Sequence, residues 1–316
     1  MVENLFSRRI VFWIVFLGVG FTLVGASFWV ILFVRDRATV EDETAMANAE
    51  SLIYVDYTPN ADDYISAESY LAMGDYDRRF DETQNVQVLG DLTVTEITGY
   101  MINHFSSGLG VDCSYCHSLE NFAADEWDDE VAMANKTNAR EHIMLTRDLN
   151  QEWLTQLPGL SDQKRPSGAQ ITCATCHLGE PQFETWPTGQ TSLPDDLRLP
   201  TTPLSVEEQD ILNVNARRDI SLDTVQYNQN VMYHMNVSMG VGCTHCHNSR
   251  YFPSWEVPAK YYSLNMLQMS QFILEEYGES LGGQEPSCLM CHREAVIPPG
   301  SAISAELLPD AITAAR

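Results

Sequence analysis

The sequence predicts a mainly α-helical protein with little β structure, built as two similar halves and carried by one N-terminal transmembrane helix. Three observations predict this. No charged residue occurs from Ile10 to Val34, helix-opening signals recur along the remainder, and Cys-x-x-Cys-His occurs four times, in two pairs separated by a proline-rich stretch.

As a helix rising about 1.5 Å per residue, the uncharged run reaches ~37 Å, enough to cross a bilayer with some tilt. Arg8 and Arg9 precede it, and Arg35, Asp36 and Arg37 follow before an acidic stretch that begins at Glu41. The positive-inside tendency keeps residues 1–9 cytoplasmic and exports the rest. Ala45-Met46-Ala47 resembles a leader-cleavage site, but the apolar run is too long and the site too distant, so an uncleaved anchor in lipid through residues 10–34 is expected.

Residues 35–84 read as an acidic connector with weak order signals, such as Pro59-Asn60-Ala61-Asp62-Asp63. Val86-Gln87-Val88-Leu89, followed by Gly90, suggests one short strand. Thr93-Val94-Thr95-Glu96 is a capping box that opens a helix carrying Met101, and Asn138 with Glu141 suggests the start of one that runs toward Pro158 and carries His142 and Met144. These precede the first two cysteine blocks, in residues 85–180. Residues 181–209, with Pro181, Pro187, Pro194, Pro200 and Pro203, read as a crossing. In residues 210–295 the pattern returns: Asp223-Thr224 opens a helix carrying Met232, and Pro258 opens one toward Gly278 carrying Met266 and Met269. Residues 296–316 form a tail after the break at Pro298-Pro299-Gly300.

The blocks are Cys113-Ser-Tyr-Cys116-His117, Cys173-Ala-Thr-Cys176-His177, Cys243-Thr-His-Cys246-His247 and Cys288-Leu-Met-Cys291-His292, and they use all eight cysteines. Two thiols three positions apart can each bond one vinyl group of a haem, and the adjacent imidazole then reaches the iron. Four copies followed by His point to four covalently bound haem c groups rather than to redox dithiols or zinc sites. The expected fold class is thus a mainly α multihaem cytochrome with two pseudo-repeated haem pairs, and covalent haem implies the oxidising side of a membrane. His117, His177, His247 and His292 are the proximal iron ligands. Met101, 16 residues before His117, and Met232, 15 before His247, are the distal candidates for the first and third haems; His104, on the same helix face as Met101, competes. His142 and Met266 occupy matching helix positions and are proposed for the second and fourth haems, with Met144 and Met269 as alternatives. His234 faces away from Met232 and His245 lies inside a block, so neither is expected to bind iron.

Lys plus Arg number 18 against 44 Asp plus Glu, a formal charge of −26. That field excludes nucleic acid as a partner and favours a basic one, so a small cationic electron carrier fits, steered by residues such as Asp125, Glu126, Asp128, Asp129 and Glu130. No block has Lys in place of His and no acid–base cluster accompanies the blocks, which favours an electron-transfer protein over an enzyme such as a multihaem reductase.

Over most of residues 85–295 the sequence resembles the tetrahaem cytochrome c subunit of photosynthetic reaction centres, in its transmembrane-anchored variant. The resemblance rests on the paired blocks, the Met101 and Met232 helices, Leu145-Thr146-Arg147-Asp148-Leu149-Asn150 with Trp153, and Gly240-Val241-Gly242 through Arg250. It implies a row of four haems on the periplasmic or extracellular side of the photosynthetic inner membrane. They would relay single electrons from a soluble donor, a small cytochrome c or blue-copper protein, to the photo-oxidised bacteriochlorophyll special pair of the reaction centre core. It also implies three His/Met haems and one bis-His haem, whose distal His would fall at Gln156 here. The expectation is that the bis-His site has moved from the fourth haem to the second. A membrane-anchored tetrahaem quinol dehydrogenase feeding periplasmic reductases is the alternative, and its reliance on His ligands sets it against the Met-bearing helices.

Overall fold

The computed structural model describes residues 53–184, 222–282, 284 and 286–313. The apolar run at residues 10–34 and most of the proline-rich crossing lie outside them. Among the described residues no helix is long and apolar enough to cross a membrane.

Helix α1 (Ala67–Arg79) forms within the stretch read as a connector: the Ser66 hydroxyl accepts from the Ser69 N–H, Glu68 lies in the first turn, and Arg78 and Arg79 face the negative end of the dipole. Val86–Leu89 is not a strand. No partner strand lies beside it among the described residues, and Val86, Val88 and the buried Leu89 pack instead against Tyr100, Ile143 and the C-terminal tail. The capping box at Thr93 and Glu96 opens α2 (Val94–Tyr100), with the Glu96 carboxylate accepting from the Thr93 N–H at 2.9 Å. The path continues through a π-helical turn (Met101–Ser106) and one α-helical turn (Ser107–Leu109), and ends on Gly110 at φ 65°.

Helix α3 (Glu130–Asp148) starts earlier than the Asn138 signal suggests. Asp129 is the stronger cap, accepting from the Val131 and Ala132 N–H groups at 3.1 and 3.0 Å. The helix runs on as a π turn (Leu149–Trp153) and a 3₁₀ segment (Leu154–Gly159) that includes Pro158. Four further helices follow: α4 (Cys173–His177), α5 (Leu222–Met239), α6 (Pro258–Tyr277) and α7 (Cys288–His292). Pro258 occupies the first turn of α6, where its missing N–H costs nothing. Extended pairing among the described residues is limited to isolated bridges, two of them through Ala302.

Ala302 bonds with Gln170 in both directions, at 2.9 and 2.8 Å, and the Gly300 N–H donates to the Val55 carbonyl. Asn150, fully buried in the α3 π turn, donates to the Ile171 and Ile312 carbonyls and accepts from the Ile171 N–H. The tail is therefore core. It ties residues 53–57, α3 and the approach to α4 together, and Ala302, Leu308 and Ile312 are buried there. A second apolar cluster joins α3 to α6 through Leu145, Leu149 and Ile273, and a third joins α5 to α6 through Val231, Met235 and Leu267.

Candidate functional site

The first and third cysteine blocks adopt the same turn. In each, the first two residues and their successor form a 3₁₀ helix, Cys113–Tyr115 or Cys243–His245. The histidine N–H bonds back to the first cysteine's carbonyl at 3.0 Å in both, and the chain then closes a short bridge, Ser118 with Asn121 or Asn248 with Tyr251. His117 Nδ1 lies 3.0 Å from the Phe122 carbonyl, and His247 Nδ1 lies 2.8 Å from that of Phe252. The second and fourth blocks are α-helical, and each helix stops on a residue with left-handed backbone, Leu178 at φ 47° and Arg293 at φ 42°. His177 Nδ1 meets the Glu180 carbonyl at 3.1 Å, and His292 Nδ1 meets that of Ala295 at 2.8 Å.

In every block, then, Nδ1 is held as a donor to a backbone carbonyl, which leaves Nε2 with its lone pair. This is how a metal-binding imidazole is oriented. Burial favours the neutral ring that a metal needs: it pulls His117 and His177 down to about 4 and lowers His247 and His292. The thiols move the other way. Burial raises Cys116, Cys173 and Cys288 to about 12, and Cys291 is raised by its contact with Cys176 and by burial.

The blocks and the helices that lead into them pack in a definite order. The end of the α2 path lies on α4, with the Gly179 N–H donating to the Gly108 carbonyl at 2.8 Å, and the end of α5 meets α7 in the same way, from the Glu294 N–H to Ser238. Between them α4 faces α7. Cys176 Sγ is 2.9 Å from Cys291 Sγ, and the Arg293 guanidinium donates to the Cys176 carbonyl at 2.9 Å. Despite that approach, no group of three or more His, Cys, Asp or Glu side chains among the described residues is arranged to hold a metal ion.

A cleft of about 1190 Å³, counted out to its open mouth, adjoins the first block. It is lined by Cys113, Cys116 and His117, with Met101, Ile102 and Phe105 from the α2 path and Lys136, Arg140 and Ile143 from α3. A thioether, an imidazole and two thiols thus line one apolar space. His104 is engaged elsewhere: its Nδ1 is 2.7 Å from the Tyr54 hydroxyl and its ring packs on Tyr100 at 4.7 Å. His142 lies with its ring 5.8 Å from that of His177 and its Nε2 3.1 Å from the Ser280 carbonyl. Phe183 packs on both of those rings.

Met232 packs against Val231, Met235 and Leu267 beside Cys288, Met269 lies in the α3–α6 cluster, and Met144 and Met266 are half-buried. His234 accepts from the Cys288 N–H at 3.0 Å. Gln156 is exposed, and its side-chain oxygen accepts from Asn265, next to Met266. The sequence reading passed over Lys136 and Lys260, whose ammonium groups bond the loops after the first and third blocks. Lys136 follows His117 by 19 residues and Lys260 follows His247 by 13, and this unequal spacing hid the correspondence.

Four Cys-x-x-Cys-His blocks, each with its imidazole Nδ1 bonded to a backbone carbonyl, and an apolar cleft with Met101 beside the first are the features of a c-type cytochrome, the class of proteins that hold haem covalently. Within that class, a model of the photosynthetic reaction centre cytochrome c subunit family matches residues 35–184 and 183–261, and the chain belongs to that family. It is 29% identical over 249 residues to cytochrome c-554 of Chloroflexus aurantiacus, covering 62% of this chain and 57% of that one. It is 32% identical over 203 residues to the photosynthetic reaction center cytochrome c subunit of Thermochromatium tepidum, covering 54% and 45%. The subunit of the same name from Rubrivivax gelatinosus is 26% identical over 262 residues, covering 68% and 66%. The chain spans about half the length of the first two relatives.

Proposed function

We propose that the chain holds four haem c groups and relays single electrons from a soluble donor to the special pair of a photosynthetic reaction centre, anchored in lipid through residues 10–34. The observation that carries this is the common arrangement of the four blocks, each with its histidine Nδ1 bonded to a backbone carbonyl. One-electron chemistry at iron is what the bound groups supply. The chain's own residues set their order and surroundings.

Packing supports a row in the order first, second, fourth, third, because the end of the α2 path, which leads into the first block, rests on the second, the second faces the fourth, and the fourth rests beside the end of α5, which leads into the third. The two-pair repeat is supported by the same contacts recurring in each half. It also accounts for the unequal spacing of Met101 and Met232. The α2 path contains a π turn and α5 is α-helical throughout; a π turn, bonded i to i+5, holds one residue more than an α turn. That extra residue makes 16 and 15 equivalent and supports Met101 and Met232 as matching ligands. Two metal–nitrogen bonds of about 2 Å bring imidazole centres to ~6 Å, so the 5.8 Å His142–His177 spacing supports a bis-His second site, in which His142 Nε2 would exchange the Ser280 carbonyl for iron. Gln156 offers no imidazole at the position where the distal His was expected, so Met266 is the ligand proposed for the fourth haem.

The test has two parts. Alkaline pyridine spectra of the purified full chain should give four haem c per chain. Flash excitation of native membranes should then oxidise haem within microseconds; no light-linked oxidation would refute the relay.

A further inference from the structure

The chain has three lysines among its 18 basic residues, and two of them do the same thing. Lys136, buried on α3, donates to the Phe122 carbonyl at 3.0 Å and to that of Ala124 at 2.5 Å, with its ammonium 5.8 Å from the Trp127 ring. Lys260, in the first turn of α6, donates to the Phe252, Pro253 and Ser254 carbonyls at 3.0, 3.1 and 3.1 Å, with its ammonium 4.4 Å over the Trp255 ring. The Phe122 and Phe252 carbonyls are the ones that receive His117 and His247 Nδ1. The lysines therefore share an acceptor oxygen with the histidines of the first and third blocks. At the second and fourth blocks the acceptors are Glu180 and Ala295, and the third lysine, Lys164, is exposed.

We propose that Lys136 and Lys260 are positioning residues that raise the reduction potentials of the first and third haems through the carbonyl each shares with the proximal histidine. The inference rests on the haem-bearing reading above. A carbonyl oxygen already bonded to an ammonium group is a poorer acceptor for the imidazole N–H. The ring then keeps its Nδ1 proton more fully, gives less electron density to iron through Nε2, and favours the ferrous form. The nearby positive charge acts in the same direction, since it opposes the extra charge of ferric iron, less at Lys136, whose ammonium lies 3.4 Å from the Asp125 carboxylate, than at Lys260. A compact ammonium with three donors suits a loop that presents two or three converging carbonyls, where a planar guanidinium fits less well. The couple concerned is the transfer of one electron, with no proton and no bond made or broken.

The experiment is a potentiometric titration of the detergent-solubilised full chain, followed optically and by electron paramagnetic resonance, after haem content has been measured. In K260Q, one midpoint should fall by about 59 mV, a tenfold loss in the one-electron equilibrium constant, and in K136Q a different one should fall similarly. K136R and K260R, which keep the charge, should recover at least half of each shift, and K164Q should leave all midpoints in place. Unmoved midpoints in fully loaded Gln variants would overturn the inference. So would Arg variants that shift as far as the Gln variants. Should the buried K136Q fail to load, K260Q, at a half-buried site, decides the question; loss of haem from both Gln variants while both Arg variants load would reduce the lysines to loop supports and overturn it too. Absence of haem c from the unmodified chain would instead refute the proposed function.

Discussion

Burial keeps the His104 ring uncharged: it is 6% exposed, lies against Tyr54 and Tyr100, and desolvation pulls its pKa down to about 4. In the unfolded chain a histidine titrates near 6.5. Between those values the unfolded chain binds a proton that the fold does not, so stability is full above about pH 6.5 and is lost as pH falls toward 4. Thermal melts of H104Q at stepped pH should show a flatter decline across that window than the unmodified chain; an unchanged slope would assign the acid sensitivity to other groups. His234 is pulled down to about 4 by burial as well and contributes with the same sign. Met101, three residues before His104, faces the cleft of the first block. M101L is expected to remove about one haem's share of the near-infrared absorption that marks Met-ligated ferric iron and to lower one midpoint, whereas H104Q should leave the band intact. A band lost in H104Q instead would exchange their roles.

At the scale of elements, the end of the α2 path decides how the first block meets the second. Gly110 has φ 65°, and a Cβ there would run into the Gly179 carbonyl; at Gly240, φ 63°, it would run into that of Glu294. Left-handed backbone with no room for a side chain admits only glycine. G110A should therefore cost on the order of 1–3 kcal/mol in chemical denaturation and lower haem loading at the second block more than G90A, whose Cβ would meet nothing within 4 Å. Equal effects of the two substitutions would dismiss the contact. The capping box of α2 was legible because its hydrogen bonds are local, worth about 1 kcal/mol from residues three apart. The start of α3 was not. Asp129 lies in a run of acids that reads as a solvated face, and only its bonds to Val131 and Ala132 distinguish it as a cap.

For the whole molecule, the formal charge of −26 sets a field that speeds the approach of a basic donor and is screened by salt. The structure narrows the groups available for steering. Asp125 is bound to Arg140 at 2.7 Å and to Lys136 at 3.4 Å, and Asp129 caps α3, which leaves Glu126, Asp128 and Glu130 exposed beside them. Under the proposed relay, donor reduction measured by stopped flow should slow by roughly tenfold as ionic strength rises through the physiological range. Neutralising Glu126, Asp128 and Glu130 together should flatten that dependence. A rate indifferent to salt would point to an apolar docking face.

The sequence by itself determined the chemistry and the local starts of structure. Two thiols and an imidazole in five consecutive residues define an attachment block without help from the rest of the chain, and caps such as Thr93 with Glu96 act within one turn. Only the tertiary structure decided what faces what: that Met101 shares a cleft with His117 while His104 turns to Tyr54, that Cys176 meets Cys291 across 115 residues of chain, and that the tail at Ala302 and Ile312 is core. These outcomes depend on burial between distant segments. A side chain's place there is set by the apolar surface and unpaired backbone groups of its neighbours, which no local pattern records.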